Sequence, residues 1–527
     1  MGLLEYLSGG ARPAAASDDN APTSSSLDSD SDSTMTSSFD SVTQYLEDRD
    51  DPTIQQHSPL LNLPREVLQQ VLSAYGATAT HCVHDDDLLW AALLREQLPP
   101  ESSHDVPSGS GSPYPAPTYR ELYISHHPYW FVPRRKIWVS DDPYMGKVMI
   151  ARFDPRRGCI EGYRLIAERG AGKTMAWRRN LGVRIDTFRP RVRLWLDDPV
   201  LKLPYAQYDE GRSSVGMQRQ GWWEGEMKMS VGRPGHNTSA SFFLARDVKV
   251  DGYSGMEVWP PRTIPGMKRV RAGSSGNGFR GKEHRPQRYE EISQTSFRMR
   301  HWVQFAAGRT RFGVRMEEEV STWSTLDEGL YRPSKEKPYQ GIFVGDYAGH
   351  GCEFLLVMQT ERAPRPPERR GISILGERGL WEGDVEGYLD EESGLAAGTT
   401  ALTALEETEV LSKEAVKLTG DPNVPRGEHT FISDDIGQKG FVRIATEEPF
   451  RGARVVRSRG HVAARGFVHD EFIPSQLFMI NHDRLAQYWL PFGHISYYQR
   501  VDIDEVVDQA FHGSRAAGFE EDYEMKV

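Results

Sequence analysis

The residues "AERGAGKT", Ala167 to Thr174, fit the loose form of a phosphate-binding loop, [AG]-x-x-x-x-G-K-[ST], and "VRLWLDD", Val192 to Asp198, has the look of an acidic strand that would hold its magnesium. Such a loop cradles phosphates only when a buried parallel strand leads into it and a helix leaves it, with N-terminal amides turned towards the ligand. Here the leading stretch "IEGYRLIA" is partly polar, and "MAWRRNLGVRID" meets Gly182 before a helix has run two turns. The acidic stretch begins only 18 residues after Thr174, and Arg193 interrupts it. "AERGAGKT" therefore reads as a Gly-rich turn between two barrel strands.

Other chemical signatures are weaker. No G-x-S-x-G nucleophile elbow and no H-E-x-x-H helix occurs in the sequence. His126 and His127 are adjacent, so they diverge on a helix end, and no nearby cysteine or carboxylate completes a metal site. The pairs Asp141–Asp142, Asp197–Asp198 and Asp434–Asp435 each sit beside turn residues, where aspartate favours bonds to the backbone. No catalytic residue, metal or cofactor is expected.

Composition bounds what remains. A chain of 527 residues exceeds what one hydrophobic core serves and suggests two to four structural units. The net charge is −12, but residues 1–51 alone carry eleven acids against Arg12 and Arg49, so the rest is close to neutral and gives no global reason to bind nucleic acid or membrane. Cys82, Cys159 and Cys352 are too few and too scattered for a disulfide framework or a zinc site, which fits the cytoplasm or nucleus. No apolar run is long enough to span a membrane.

The elements that must position any site follow from periodicity. Residues 1–57 are Ser- and Asp-rich and read as a disordered acidic tail. "LNLPREVLQQVLSAYG" is an amphipathic helix, with Leu63, Val67, Leu68, Val71, Leu72 and Tyr75 on one face and Pro64 in its first turn. "HDDDLLWAALLREQLPP" predicts a second helix, and together the two make a helical module over 58–100. A Ser/Pro/Gly-rich linker (101–117) precedes a third, "TYRELY", opened by a capping box of Thr118 and Glu121. From 118 to 510 short β-branched and aromatic runs alternate with Gly, Pro and Asp turns, and Phe297 and Met299 alternate with Arg298 and Arg300 as a half-buried antiparallel strand would. The expected class is α+β: a short N-terminal helical module, then a mainly antiparallel β-barrel. Two loop insertions, about 260–290 and 360–413, interrupt it, and 511–527 is an acidic tail. The first insertion carries eight Lys or Arg against Glu283; a basic run of this kind could bind an anionic partner, but with five glycines and almost no aromatic residue it reads rather as a solvated loop.

"LPREVLQQVLSAY" followed by "LLWAALLREQL" resembles an F-box, although "ATATHCVHD" between them is about ten residues shorter than usual. "GIFVGDYAGHGCEF" (Gly341–Phe354), "KLTGDPNVPRGEHTF" (Lys417–Phe431) and the segment Gly460–Val501 resemble, in order, the barrel of a family of F-box-only substrate receptors. The resemblance implies a non-catalytic, SCF-type ubiquitin-ligase subunit. Leu63, Pro64, Val67, Leu68, Val71, Leu72 and Trp90 would bind a Skp-type adaptor, and through it cullin and RING subunits. The barrel would read a substrate's C-terminal tail, as in D-type cyclins, with Asp421, Asn423, Tyr347 and His350 at the peptide pocket. Asp421 would accept from a peptide N–H or an amide terminus, unless Asp-Pro-Asn simply makes a tight turn. A barrel that binds a peptide or small apolar ligand without ligase function is the alternative.

Overall fold

A computed structural model of the chain describes residues 87–100, 113–205, 226–229, 238–249, 258–274, 278–306, 313–361 and 411–511, all within one unit that runs from Ser58 to Val527. Leu63, Pro64, Val67, Leu68, Val71 and Leu72, the acidic tail, most of the linker and residues 512–527 lie outside the described residues.

Helix α1 (Asp87–Glu96) is tied to α2 (Tyr119–His126), because Asp87 Oδ1 accepts the Tyr119 N–H at 2.6 Å. The cap expected for α2 is present, with Thr118 Oγ1 accepting the Glu121 N–H at 3.1 Å. A short α3 (Phe131–Arg135) follows. Trp90 is 3% exposed, its ring 5.5 Å from that of Tyr123. The indole expected on an open adaptor face is thus part of the packing between α1 and α2, where the aromatic face of α2 offers an apolar partner.

Among the described residues twenty-two strands follow. They are β1 (Ile137–Ser140), β2 (Val148–Asp154), β3 (Cys159–Glu168), β4 (Thr174–Trp177), β5 (Asn180–Asp186), β6 (Arg191–Leu194), β7 (Leu201–Pro204), β8 (Met227–Met229), β9 (Thr238–Val248), β10 (Val258–Trp259) and β11 (Arg269–Arg271). Then come β12 (Ile292–Ala306), β13 (Gly313–Thr325), β14 (Gly341–Asp346), β15 (Cys352–Glu361), β16 (Leu411–Lys417), β17 (His429–Ser433), β18 (Phe441–Ile444), β19 (Arg454–Ala464), β20 (Val468–Asn481), β21 (Arg484–Trp489) and β22 (His494–Arg500). Helix α4 (Glu328–Tyr331) precedes β14, and α5 (Ile503–Phe511) follows β22.

The first sheet runs β10-β11-β9-β12-β13-β1-β2-β3-β6, with β7 on β3 and β8 on β9. The second runs β14-β15-β16-β17-β19-β20-β21-β22-β5-β4, with β18 on β19, and β22 pairs back onto β14 from Phe343↔Arg500 to Gly345↔Tyr498, which closes β14 to β22 without β18 into an eight-stranded antiparallel barrel. Closure removes the exposed edges an open sheet would leave. The described chain is therefore mostly antiparallel β with a closed barrel and a few short helices.

Both faces of the barrel wall are apolar on one side of the molecule, which is why "GIFVGDY" and "CEFLLVMQ" read as nearly continuous hydrophobic runs. Phe343, Leu355, Val357, Ala415, Phe431, Leu477, Leu485 and Tyr498 fill the lumen. Ile342, Val344, Phe354, Leu356 and Val416 face outwards and share one core with Ile137, Val139, Ile150, Tyr163 and Leu165 of the first sheet.

Two stretches singled out in the sequence find their places here. "AERGAGKT" is a turn from β3 into β4: a strand, not a helix, follows it, and β6, with the acidic stretch, pairs antiparallel to β3. The Lys173 N–H donates to Thr187 Oγ1 at 2.7 Å, so this amide serves the neighbouring strand. The basic insertion is not a solvated loop. It forms β10, β11 and a 3₁₀ turn (Lys282–His284), and Arg269, 9% exposed, donates to the carbonyls of Pro260, Pro261, Ile264 and Met267. A guanidinium can be buried when its fixed fork of donors is met by carbonyls, which composition alone does not reveal.

Gly460 on β19 tests how tightly the lumen is packed. A methyl group there would collide with the Trp489 ring and come within 2.7 Å of Gln487 Nε2. Gly460→Ala should cost about 1–3 kcal/mol of unfolding free energy in a urea titration, the usual penalty for overpacking a filled core.

Candidate functional site

The loops at one end of the barrel, residues 347–351, 418–428, 465–467 and 490–493, form a mouth. All four substrate-contact residues expected from sequence, Tyr347, His350, Asp421 and Asn423, come together there.

At its base three charged side chains meet inside the wall. Lys417 Nζ, at the end of β16, lies 2.7 Å from Asp421 Oδ2 and 2.8 Å from Glu353 Oε2 of β15. The three side chains are 2%, 7% and 3% exposed for Lys417, Asp421 and Glu353. Only the contact with Asp421 has hydrogen-bond geometry, and the Lys417 ammonium also sits 4.4 Å above the Tyr347 ring. Two carboxyls around one ammonium cannot both ionise cheaply in a buried site. Burial pushes the Glu353 carboxyl up to about 8, with Asp421 adding to the rise against the pull of Lys417. Burial also opposes the charge on Asp421, but Lys417 and the bonds it accepts outweigh this and hold it at about 2. Burial thus favours the protonated form of Glu353, beside an Asp421 that Lys417 and backbone N–H groups hold ionised.

Asp421 is occupied by the chain itself. Its Oδ1 accepts the N–H groups of Asn423 at 2.6 Å and Val424 at 3.0 Å, and Oδ2 takes Lys417. The carboxylate therefore builds the turn, and it does not present a free acceptor to a peptide. Asn423 Nδ2 donates to Ala463 O at 2.8 Å, and the Gly466 N–H to Pro422 O at 2.7 Å, so the loop is sewn to the β19–β20 hairpin. Its other side reaches the first sheet. Gly420 and Arg426 donate their N–H groups to the carbonyls of Met145 and Tyr144, both at 2.8 Å, and the Arg426 guanidinium lies over Trp259 at 4.6 Å.

Tyr347 is half-buried, its hydroxyl 2.6 Å from Thr430 Oγ1. His350 is exposed on a one-turn 3₁₀ helix. Below them Tyr498 donates to Gln487 Oε1 at 2.7 Å and Gln487 to Ser475 Oγ at 3.0 Å, a polar ladder in the lumen. Apolar groups rim the mouth: Val468 is 48% exposed, Phe472 38% and Phe492 62%, and Phe472 stacks on His461 at 4.3 Å. A groove of about 910 Å³ lies at the opposite end, lined by Pro338, His482, Asp483 and Arg500, away from these residues.

Glu353, Lys417 and Thr430 were not singled out in the sequence. The available signal was a charged residue at an inward position of an apolar strand, in "CEFLLVM" and in "EAVKL". His126 and His127 pack rather than ligate. His126 is fully buried 3.0 Å from Gly158 O, burial holding it down at about 3, and His127 stacks on Tyr289. Among the described residues no cluster of His, Cys, Asp and Glu could hold a metal ion.

A family model described as the cyclin D1 binding domain matches residues 323–505, from the end of β13 into α5, and so spans the whole closed barrel. No curated protein matches the chain.

Two outcomes are expected. Asp421→Asn removes the charge that faces Lys417 and should cost about 3 kcal/mol of unfolding free energy. Folded Glu353 keeps its proton up to about 8, whereas the unfolded carboxyl loses it near its ordinary 4.5, so the folded chain binds the extra proton and stability falls as pH rises between these values. The contribution of Asp421 has the opposite sign and is lost as pH drops from 3.8 towards about 2. Urea titrations between about pH 5 and pH 8 should therefore show Glu353→Gln gaining on the parent chain as pH rises.

Proposed function

We propose that the chain is a non-catalytic receptor that holds a protein partner at the barrel mouth and presents it to a cullin-RING ubiquitin ligase. The observation that carries this reading is the coincidence of the cyclin D1 binding-domain match, residues 323–505, with the closed barrel. The partner is a D-type cyclin or a protein with a similar C-terminal tail. Val468, Phe472 and Phe492 supply apolar contacts, and His350 and the half-buried Tyr347 supply polar ones, the mixture that protein interfaces use. Asp421 acts on the partner indirectly, by fixing the loop that carries Pro422 and Asn423.

The ligase half of the proposal rests on the F-box resemblance of residues 63–98. There the face of Leu63, Val67, Leu68, Val71 and Leu72 buries apolar area against a Skp-type adaptor, and ubiquitin transfer follows from proximity. Trp90, buried against Tyr123, supports that module from within and does not contact the adaptor directly.

The test is co-purification of the full chain with the adaptor and, separately, with cyclin D1. The adaptor complex should form and be lost in Leu68→Asp. Cyclin capture should survive Leu68→Asp and fall about tenfold in Phe472→Ala, as for an apolar interface anchor. Cyclin capture without any adaptor complex would leave a peptide-binding barrel outside the ligase pathway, and loss of both would overturn the reading.

A further inference from the structure

Arg298 was expected on the solvent face of its strand, yet it is 0% exposed. A guanidinium carries five N–H donors in one plane. Arg298 Nη2 donates to Arg271 O at 2.8 Å, but Nε and Nη1 have no hydrogen-bond partner among the described residues. One face of the group lies on the Phe279 ring at 4.5 Å. That stacking attracts the charge and leaves the in-plane N–H groups unmet. Buried donors without acceptors are rare and call for one that the described residues do not supply.

The nearby acids are engaged elsewhere. Asp141 Oδ1 accepts the Thr322 N–H at 2.6 Å, and Oδ2 accepts those of Gly273 at 2.6 Å and Ser274 at 3.2 Å. Glu226 lies 2.9 Å from Arg300 and 3.8 Å from Arg285, while Glu283 is 67% exposed beside His284. Cations crowd the same place. Arg285, 9% exposed, stacks on Phe243 at 4.6 Å, next to Phe279. Burial, with Arg285 and Arg271, holds Arg298 down at about 9 against the pull of Asp141. Burial lowers His284 as well, and Arg271, Arg298 and Arg280 add to this. The His284 Nδ1 accepts the Arg280 N–H at 3.1 Å, which leaves Nε2 as the donor of the ring.

We propose that Arg298, with Arg271, Arg285 and His284, forms a binding site for a small tetrahedral oxyanion, inorganic phosphate. The planar fork of a guanidinium matches two oxygens of such an ion, and several cations around one dianion relieve their mutual repulsion. Arg298 is enclosed, and Arg271, Gly273, Ser274 and His284 around it are half-buried, which suits a single ion and not an extended chain.

The test uses the full chain purified without phosphate or sulfate. Orthophosphate is titrated at constant ionic strength, with chloride as the reference, and followed by melting temperature and by calorimetry. Saturable binding of one ion per chain, weakened about tenfold or more in Arg298→Gln, is expected for loss of a charge-assisted bidentate contact. Should Arg298→Gln fail to fold, Arg285→Gln is expected to fold and to weaken binding in the same direction. No saturable effect beyond chloride, or variants that bind like the parent chain, would overturn the proposal.

Discussion

One buried ammonium organises the barrel end on which the functional reading rests. Lys417 leaves β16 and meets Asp421 four residues later and Glu353 on the adjacent strand, all three nearly without solvent. Removing a charged pair from water is costly, and the cost is offset only if further bonds satisfy the remaining atoms. Asp421 meets that condition by taking two backbone N–H groups of its own loop, whereas the Glu353 oxygens find no hydrogen-bond partner among the described residues and burial raises this carboxyl to about 8, so that it sheds its charge instead. The turn Thr419–Val424 therefore has a fixed shape because its charge has a fixed partner.

That shape is used on both sides. Towards the mouth it fixes Pro422 and Asn423 against the β19–β20 hairpin, and towards the first sheet it receives the carbonyls of Tyr144 and Met145. The loop thus joins the barrel to the first sheet, beside an apolar core shared between them. In the function proposed above, a rim fixed in this way would lower the ordering cost of capturing a flexible tail and leave the apolar fringe of Val468, Phe472 and Phe492 more of its contact energy for binding. The lumen is filled, with Tyr498, Gln487 and Ser475 bonded to one another, so the proposed partner would sit at the mouth and not pass through the barrel.

Much of this was legible residue by residue. Apolar alternation located β12, short β-branched and aromatic runs between turn residues marked the rest of the sheet-forming region, the Thr118 cap located α2, and the lack of a following helix reduced "AERGAGKT" to a turn. The four mouth residues lie on loops at one end of the barrel, and there the Asp421 carboxylate builds its own turn; an Asp-Pro-Asn turn and a binding loop have the same composition. Charged residues inside the fold were the hardest to read. Lys417 and Glu353 are 64 positions apart and pair only through the β15–β16 ladder. Arg298 and Arg269 look solvated in an Arg-rich sequence, and their burial depends on carbonyls and aromatic rings supplied by distant segments. Strand β16 was hidden at the end of an acidic stretch, since its inward residues include Lys413 and Lys417.

The central claim is that the barrel mouth is the surface that holds a protein partner. Hydrogen exchange of the full chain, with and without cyclin D1, tests it most directly. The account predicts new protection confined to residues 347–351, 461–472 and 490–493. Protection at the opposite groove, around residues 333–338 and 482–483, or none in the barrel at all, would contradict it.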